Sequence, residues 1–387
     1  MDVTKQGIIV LLKSAVTAQA LPLPEGFDIE AVLPLVRKHH MVSLIYDGAV
    51  RCGVPLNTPA MQEMFKGYCR AVQVNEAQMA QYHKICKAFD EAQIDYMPLK
   101  GCLMKARYPK PELRLMGDAD ILIRMEQYDK IRPIMLSLGF EEQGESDHEL
   151  HWDSAGLHVE LHKRLVPSYN EDFHAYFGDG WQLAKVKEGT RYAMTPEDEM
   201  VYLFTHFAKH YRDGGIGCRY VVDLWAYRLA HPNLDEKKIE AVLEKLYLLD
   251  FYQNILCLME LWFCGGKNNA KLEHITEYVF ASGSWGSAVE RTLGEVIRNS
   301  VHWNMGIKLA YLRRALFPSV ITLKGKYKVL RKAPWLLPVV WIIRPFYKVL
   351  FEPKSLKQQK KNLEVMNDKA VKEHNKALEY VGLGYHF

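Results

Sequence analysis

No apolar run in this sequence is long enough to cross a bilayer. The longest, APWLLPVVWII (333–343), covers eleven residues and holds two prolines, whereas a helical span needs about 20 apolar residues. The N-terminal stretch MDVTKQGIIVLLKSAVTAQALPLP lacks a signal-length apolar core, because Lys13 ends its run after six residues, Gly7 to Leu12. An amphipathic helix is expected there. Seven scattered cysteines (52, 69, 86, 102, 218, 257 and 264) never form CxxC or a zinc-ligand spacing. They read as reduced thiols of a cytoplasmic protein. Charge of one sign is also scarce. A net +4 is too small to imply nucleic-acid binding by the whole chain. There is no internal repeat and no low-complexity tract.

What is present is an ordinary globular composition, 49% apolar and 25% charged, in a chain long enough for two or three domains. Residues 1–90 carry apolar side chains at three- and four-residue spacing and predict helices. One of them opens with Thr58-Pro59, an N-cap followed by proline. Residues 91–190 change character. IDYMPLK and GDADILIR predict short strands, with a turn at Gly101 and a short helix over CLMKARY. MEQYDKIRPIMLSLGF predicts a helix kinked at Pro133 and capped by Gly139. DHELHWDSAGLHVELHKRL alternates like a hairpin around DSAG. Helices return over 191–316, again after a Thr-Pro pair, and 317–387 forms a basic, aromatic extension whose last twenty-five residues are expected to be partly loose. The expected class is α+β and predominantly helical, with a small mixed sheet between helical regions.

GDADILI carries the chemistry. In a strand, Asp118, Asp120 and Leu122 share one face and Ala119, Ile121 and Ile123 the other. Two carboxylates on one face must share a proton, flank a cation or be solvated. Asp-x-Asp suits hard divalent cations, which take oxygen ligands and keep positions open for phosphate. In GLHVELHKRL, His158, Glu160 and His162 alternate with Val159 and Leu161. If the two strands lie side by side, Glu160 meets both aspartates. Lys100-Gly101 adds a strand-to-helix turn at which backbone N–H groups can approach a phosphate.

The run PLKG … YPKPELRLMGDADILI … LGF … HVELH resembles the uncharacterised nucleotidyltransferase-like family within the DNA polymerase β nucleotidyltransferase superfamily. That resemblance implies a nucleotidyltransferase-type sheet. It implies Asp118, Asp120 and Glu160 as catalytic acids and as ligands of Mg²⁺ or Mn²⁺. It also implies an NTP as substrate, and Arg114 matches the family's arginine ahead of the aspartates. Lys100, Gly101, Arg114 and Lys209 are the expected nucleotide contacts. THFAKHYRDGGIGCRYVVDLWAY is similar to the family's following helical segment, which adds His206, His210, Arg219 and Asp223, with His162, as acceptor or phosphate contacts. The superfamily turn reads Gly-Gly or Gly-Ser, and here it is Gly101-Cys102, which offers no good hydroxyl donor.

His206 and His210 stand at the spacing of a zincin helix, but Phe207 replaces the glutamate base and excludes that chemistry. With Lys209 they predict a cationic helix face. His158 and His162 beside Glu160 could line a zinc row. His39 and His40 read as structural. Eleven Lys or Arg between 324 and 361, interleaved with Trp335, Trp341, Phe346 and Tyr347, fit docking on the protein's own core or peripheral contact with an anionic membrane. Two functions follow. One is metal-dependent transfer of a nucleoside monophosphate to a hydroxyl-bearing acceptor. The other is a non-catalytic nucleotide-binding or accessory protein on the same fold.

Overall fold

A computed structural model describes residues 1–168, 170–283, 286, 294, 297, 306–318, 320–323, 327, 329–352, 363 and 368–384. Four helices come first: α1 (Val3–Thr17), α2 (Ile29–Lys38), α3 (Val42–Arg51) and α4 (Pro59–Glu91). Thr58 caps α4 as expected, its hydroxyl accepting the Met61 N–H. The amphipathic N-terminal helix packs hard against α3. A Cβ on Gly48 would lie 2.1 Å from the Leu11 carbonyl oxygen, so only glycine admits that approach.

Seven strands form one mixed sheet: β1 (Tyr96–Pro98), β2 (Asp118–Ile123), β3 (Glu141–Glu145), β4 (Glu149–Ser154), β5 (Leu157–His162), β6 (Lys185–Glu188) and β7 (Arg191–Ala193). Their order is β3-β4-β5-β2-β1-β7-β6. β2 pairs in parallel with β5 and β1 with β7, and the remaining pairs are antiparallel. The predicted β4–β5 hairpin forms, and Gly156 takes φ +118° at its turn. The chain is α+β and predominantly helical, as its sequence implies.

Period-2 alternation divides the sheet faces. Ala119, Ile121, Ile123, Val159, Leu161 and Trp152 pack with Ile85 and Phe89 of α4 and with Ile131 and Met135 of α6 (Tyr128–Ser137). α6 passes through Pro133 and ends at Gly139, which has φ +84°. The opposite face carries the acids. It is roofed by α8 (Pro196–Arg212), which follows the short α7 (Glu171–Phe177), and by α9 (Cys218–Ala230). Helices α10 (Glu236–Lys245), α11 (Leu249–Met259) and α12 (Ala270–Ser282) complete the larger core, where Phe204, Phe207, Phe251 and Tyr252 interleave.

Two features depart from the sequence reading. The sheet runs on to Ala193 through β6 and β7, which carry no apolar alternation. The chain end is also less loose than expected over its described residues. Leu378, Val381 and Leu383 are buried, and Asn254 of α11 donates to the Val381 carbonyl.

The expectation from run length also needs correction: residues 334–343 belong to a longer helical stretch, Pro334–Phe351, whose 18 residues suffice to cross a membrane by length and composition. Only 11% of that stretch is buried.

Candidate active site

β2 and β5 pair in register, with Asp118 opposite His158, Asp120 opposite Glu160 and Leu122 opposite His162. Paired residues of a ladder point to one face, so Asp118, Asp120, Glu160 and His162 share the side under α8 and α9. Asp118, Asp120 and Glu160 floor a cavity of about 280 Å³ with Lys100, Gly101 and Arg114, roofed by His206, Lys209, His210, Arg219 and Asp223. His162 does not line that cavity but backs it, fully buried.

The cation seated on Asp120 is Lys100. Its Nζ lies 2.6 Å from Asp120 Oδ1, and His162 Nε2 lies 2.8 Å from the same oxygen. Burial pushes the Asp120 carboxyl up, but Lys100 and His162 outweigh it and hold the group below its usual range. Burial works the other way on Lys100, and Asp120 keeps it charged far above its usual range. Among the described residues, Asp118 makes no ion pair. Burial, Asp120 and Glu160 together push it up to about 6.

The turn that delivers Lys100 works differently from the sequence reading. The left-handed residue is Lys100 itself, at φ +38°, not Gly101. Such a backbone costs about 1–3 kcal/mol in a non-glycine residue, so the surroundings must hold it. Gly101 packs closely, since a Cβ there would meet Met116 Cγ at 3.1 Å and the Asp118 carbonyl oxygen at 3.5 Å, so a side chain would ask Met116 to shift. The helix behind it, α5 (Lys100–Met104), has only five residues and no side-chain cap.

Ligand atoms of Asp120, Glu160 and His162 all lie within 4.8 Å of one another. Two carboxylates and one imidazole, with Asp118 on the same face, make an oxygen-rich set that fits a divalent cation. A second group of the same compactness joins His151, His158 and Glu160. The zinc row read from the sequence is thus divided. His162 turns to Asp120, while His158 pairs with Asp153 at 2.5 Å and faces Glu160 at 3.6 Å. The Glu160 bond raises His158 to about 9 against burial, with help from Asp153.

Arg114 and Asp223 form a buried two-pronged pair, with Nε–Oδ1 at 3.2 Å and Nη2–Oδ2 at 2.9 Å, and the Tyr108 hydroxyl donates to Oδ1 at 2.6 Å. Arg219 stands beside this pair with its buried Nε unbonded and one donation to the Leu115 carbonyl at 3.5 Å. Burial and the adjacent Arg114 lower its pKa. The expected cationic face on α8 needs correction. Desolvation, His210 and Lys100 push His206 well below its usual value, so it is neutral.

Sequence reasoning missed Glu149, His148 and Tyr220 in the cavity wall. Glu149 sits opposite His162 on β4, and His148 binds it at 2.7 Å. Burial opposes ionisation of Glu149, but His148 and His162 hold it far below its usual range. The alternation of Glu149, His151 and Asp153 with the apolar Leu150 and Trp152 along β4 carried that signal.

The site is thus an Asp-x-Asp strand, with Lys100 seated on Asp120, paired in register with a third acid on a mixed sheet. The family model of an uncharacterised nucleotidyltransferase matches residues 25–264, more than half of the chain, and the chain belongs to that family. The matched span contains every residue of the cavity. The solution structure of the antibiotic-resistance factor ANT(2'')-Ia is similar at 18% identity, covering 48% of this chain and 97% of that one, with a TM-score of 0.32. None of the curated proteins matches.

Proposed function

We propose that this protein transfers a nucleoside monophosphate from an NTP to a hydroxyl-bearing acceptor in a Mg²⁺- or Mn²⁺-dependent reaction. The observation that carries this reading is the polarity of the cavity. Among the described residues, its floor holds an acid that makes no ion pair, Asp118, and its roof holds Arg219, whose buried Nε has no hydrogen-bond partner. A metal-bound triphosphate supplies both partners at once.

Asp118, Asp120 and Glu160 would hold the metal, with His162 behind Asp120. When bound, such an ion neutralises phosphate charge and makes a hydroxyl easier to deprotonate. Lys100, Arg219 and Lys209 neutralise the phosphates as point charges or forks, while Arg114 keeps the roof in place through Asp223. The acceptor oxygen attacks the α-phosphorus, its bond to pyrophosphate breaks, and Glu160 receives the acceptor's proton. In this reading 91–190 supplies the acids and 191–316 the roof, with 1–90 as support and 317–387 as an extension. Seven free cysteines support a reducing, cytoplasmic setting.

The accessory reading rests on Lys100. A lysine already seated on Asp120 competes with any metal for that oxygen. Thermal unfolding with Mg²⁺ and each NTP tests the proposal. Joint addition should raise Tm more than the separate additions combined, and no shift with any NTP would count against nucleotide binding.

A further inference from the structure

The helix Leu337–Phe351 and the turn before it present their apolar side outward. Trp335, Val339, Ile342, Phe346, Val349 and Leu350 recur at steps of three, four and one, which place them on one face. Ile342, Phe346 and Leu350 are 67%, 68% and 71% exposed. The opposite side is the docked one. Val340 and Lys348 are buried, Trp341 Nε1 donates to the Pro318 carbonyl at 2.8 Å, and Arg344 Nη1 donates to the Ala315 carbonyl. The helix docks through Val340, Leu337 and Trp341 together with these two polar bonds, yet leaves a second, wide apolar face turned to solvent, which a soluble amphipathic helix would make polar. Contiguous exposed apolar surface of this kind marks an interaction site.

We propose that this face seats the protein on an anionic membrane surface, with the helix lying in the interface rather than crossing it. Charge selects the occupant. Between 324 and 361 the sequence carries eleven Lys or Arg and one acid, Glu352. A second copy would bring one strongly basic segment against another, whereas anionic headgroups complement the segment's charge. The exposed face offers no carboxylate or amide for a directed protein contact. Crossing the bilayer would strand Arg344 and Lys348 in hydrocarbon and break the bonds to Ala315 and Pro318. Lying flat keeps both and buries the apolar face.

The test uses the whole purified protein and phosphatidylcholine vesicles with or without phosphatidylglycerol. Sedimentation should be about tenfold greater with the anionic vesicles and should fall in 0.5 M salt, as expected of about one Debye length of 3–10 Å. Ile342→Glu and Phe346→Glu should each cut binding about tenfold. Both positions are exposed, so an unchanged Tm separates lost docking from lost folding. Binding to neither vesicle overturns the proposal. So does a concentration-dependent dimer, abolished by Ile342→Glu, without vesicle binding. Retention through alkaline carbonate overturns the flat geometry.

Discussion

Lys100 Nζ lies 2.6 Å from Asp120 Oδ1, and His162 approaches the same oxygen to 2.8 Å. One carboxylate of the Asp-x-Asp pair is therefore satisfied by the protein itself, and the other is not. A metal entering this site must either share Asp120 with Lys100 or displace it. Each course has a measurable cost.

Lys100→Met removes the cation and leaves Asp120 buried beside Glu160. Breaking one side of a buried pair costs about 3–5 kcal/mol, so the metal-free variant should unfold at lower urea. Mg²⁺ should then stabilise the variant more than the wild type, because Lys100 no longer competes for Asp120. Metal present at 100 times its Kd contributes about 2.7 kcal/mol. Equal Mg²⁺-induced Tm shifts in both proteins would mean that Lys100 and the metal do not compete.

Asp223 anchors the roof. Asp223→Ala strands Arg114 and the Tyr108 hydroxyl together, and a loss of about 3–5 kcal/mol is expected in urea unfolding. Asp223→Asn keeps an acceptor oxygen and should lose less. If the two variants unfold alike, hydrogen-bond geometry is not what the pair contributes.

His39 makes stability pH-dependent away from the site. It is fully buried, accepts the Cys218 N–H at Nδ1 (3.2 Å) and lies 3.1 Å from the Phe280 carbonyl through Nε2. Burial pushes its pKa down to about 4 from 6.5. Between those values the unfolded chain binds a proton that the folded chain refuses. The stability is therefore fully present above 6.5 and is lost as pH falls toward 4, by about 3 kcal/mol in all. His39→Gln should be less stable at pH 7 but show a shallower loss between pH 7 and pH 5. An unchanged slope would assign the acid sensitivity to another group.

The sequence made the acids legible because period-2 alternation is a local signal. Asp118 with Asp120, and His158 with Glu160 and His162, can be assigned to faces without any tertiary information. Their meeting depends on the parallel β2–β5 pairing, which no local pattern specifies. A cation was one of three outcomes readable for the paired aspartates, but its identity as Lys100, twenty residues from Asp120, was not. Arg114 and Asp223 are 109 residues apart, beyond any periodicity. His206 looked cationic because residue type does not report desolvation. β6 is solvent-exposed along its length, so it lacked the buried face that makes a strand visible.

Transfer of label from [α-³²P]NTPs with Mg²⁺ and cell extract, comparing wild type with Asp118→Ala, tests the central claim most directly. The expected result is a labelled acceptor from wild type and none from Asp118→Ala even at saturating NTP, because the transition-state charge loses its support. Nucleotide binding without transfer by wild type would establish the accessory protein instead. Full-rate transfer by Asp118→Ala would contradict the account and place the chemistry elsewhere.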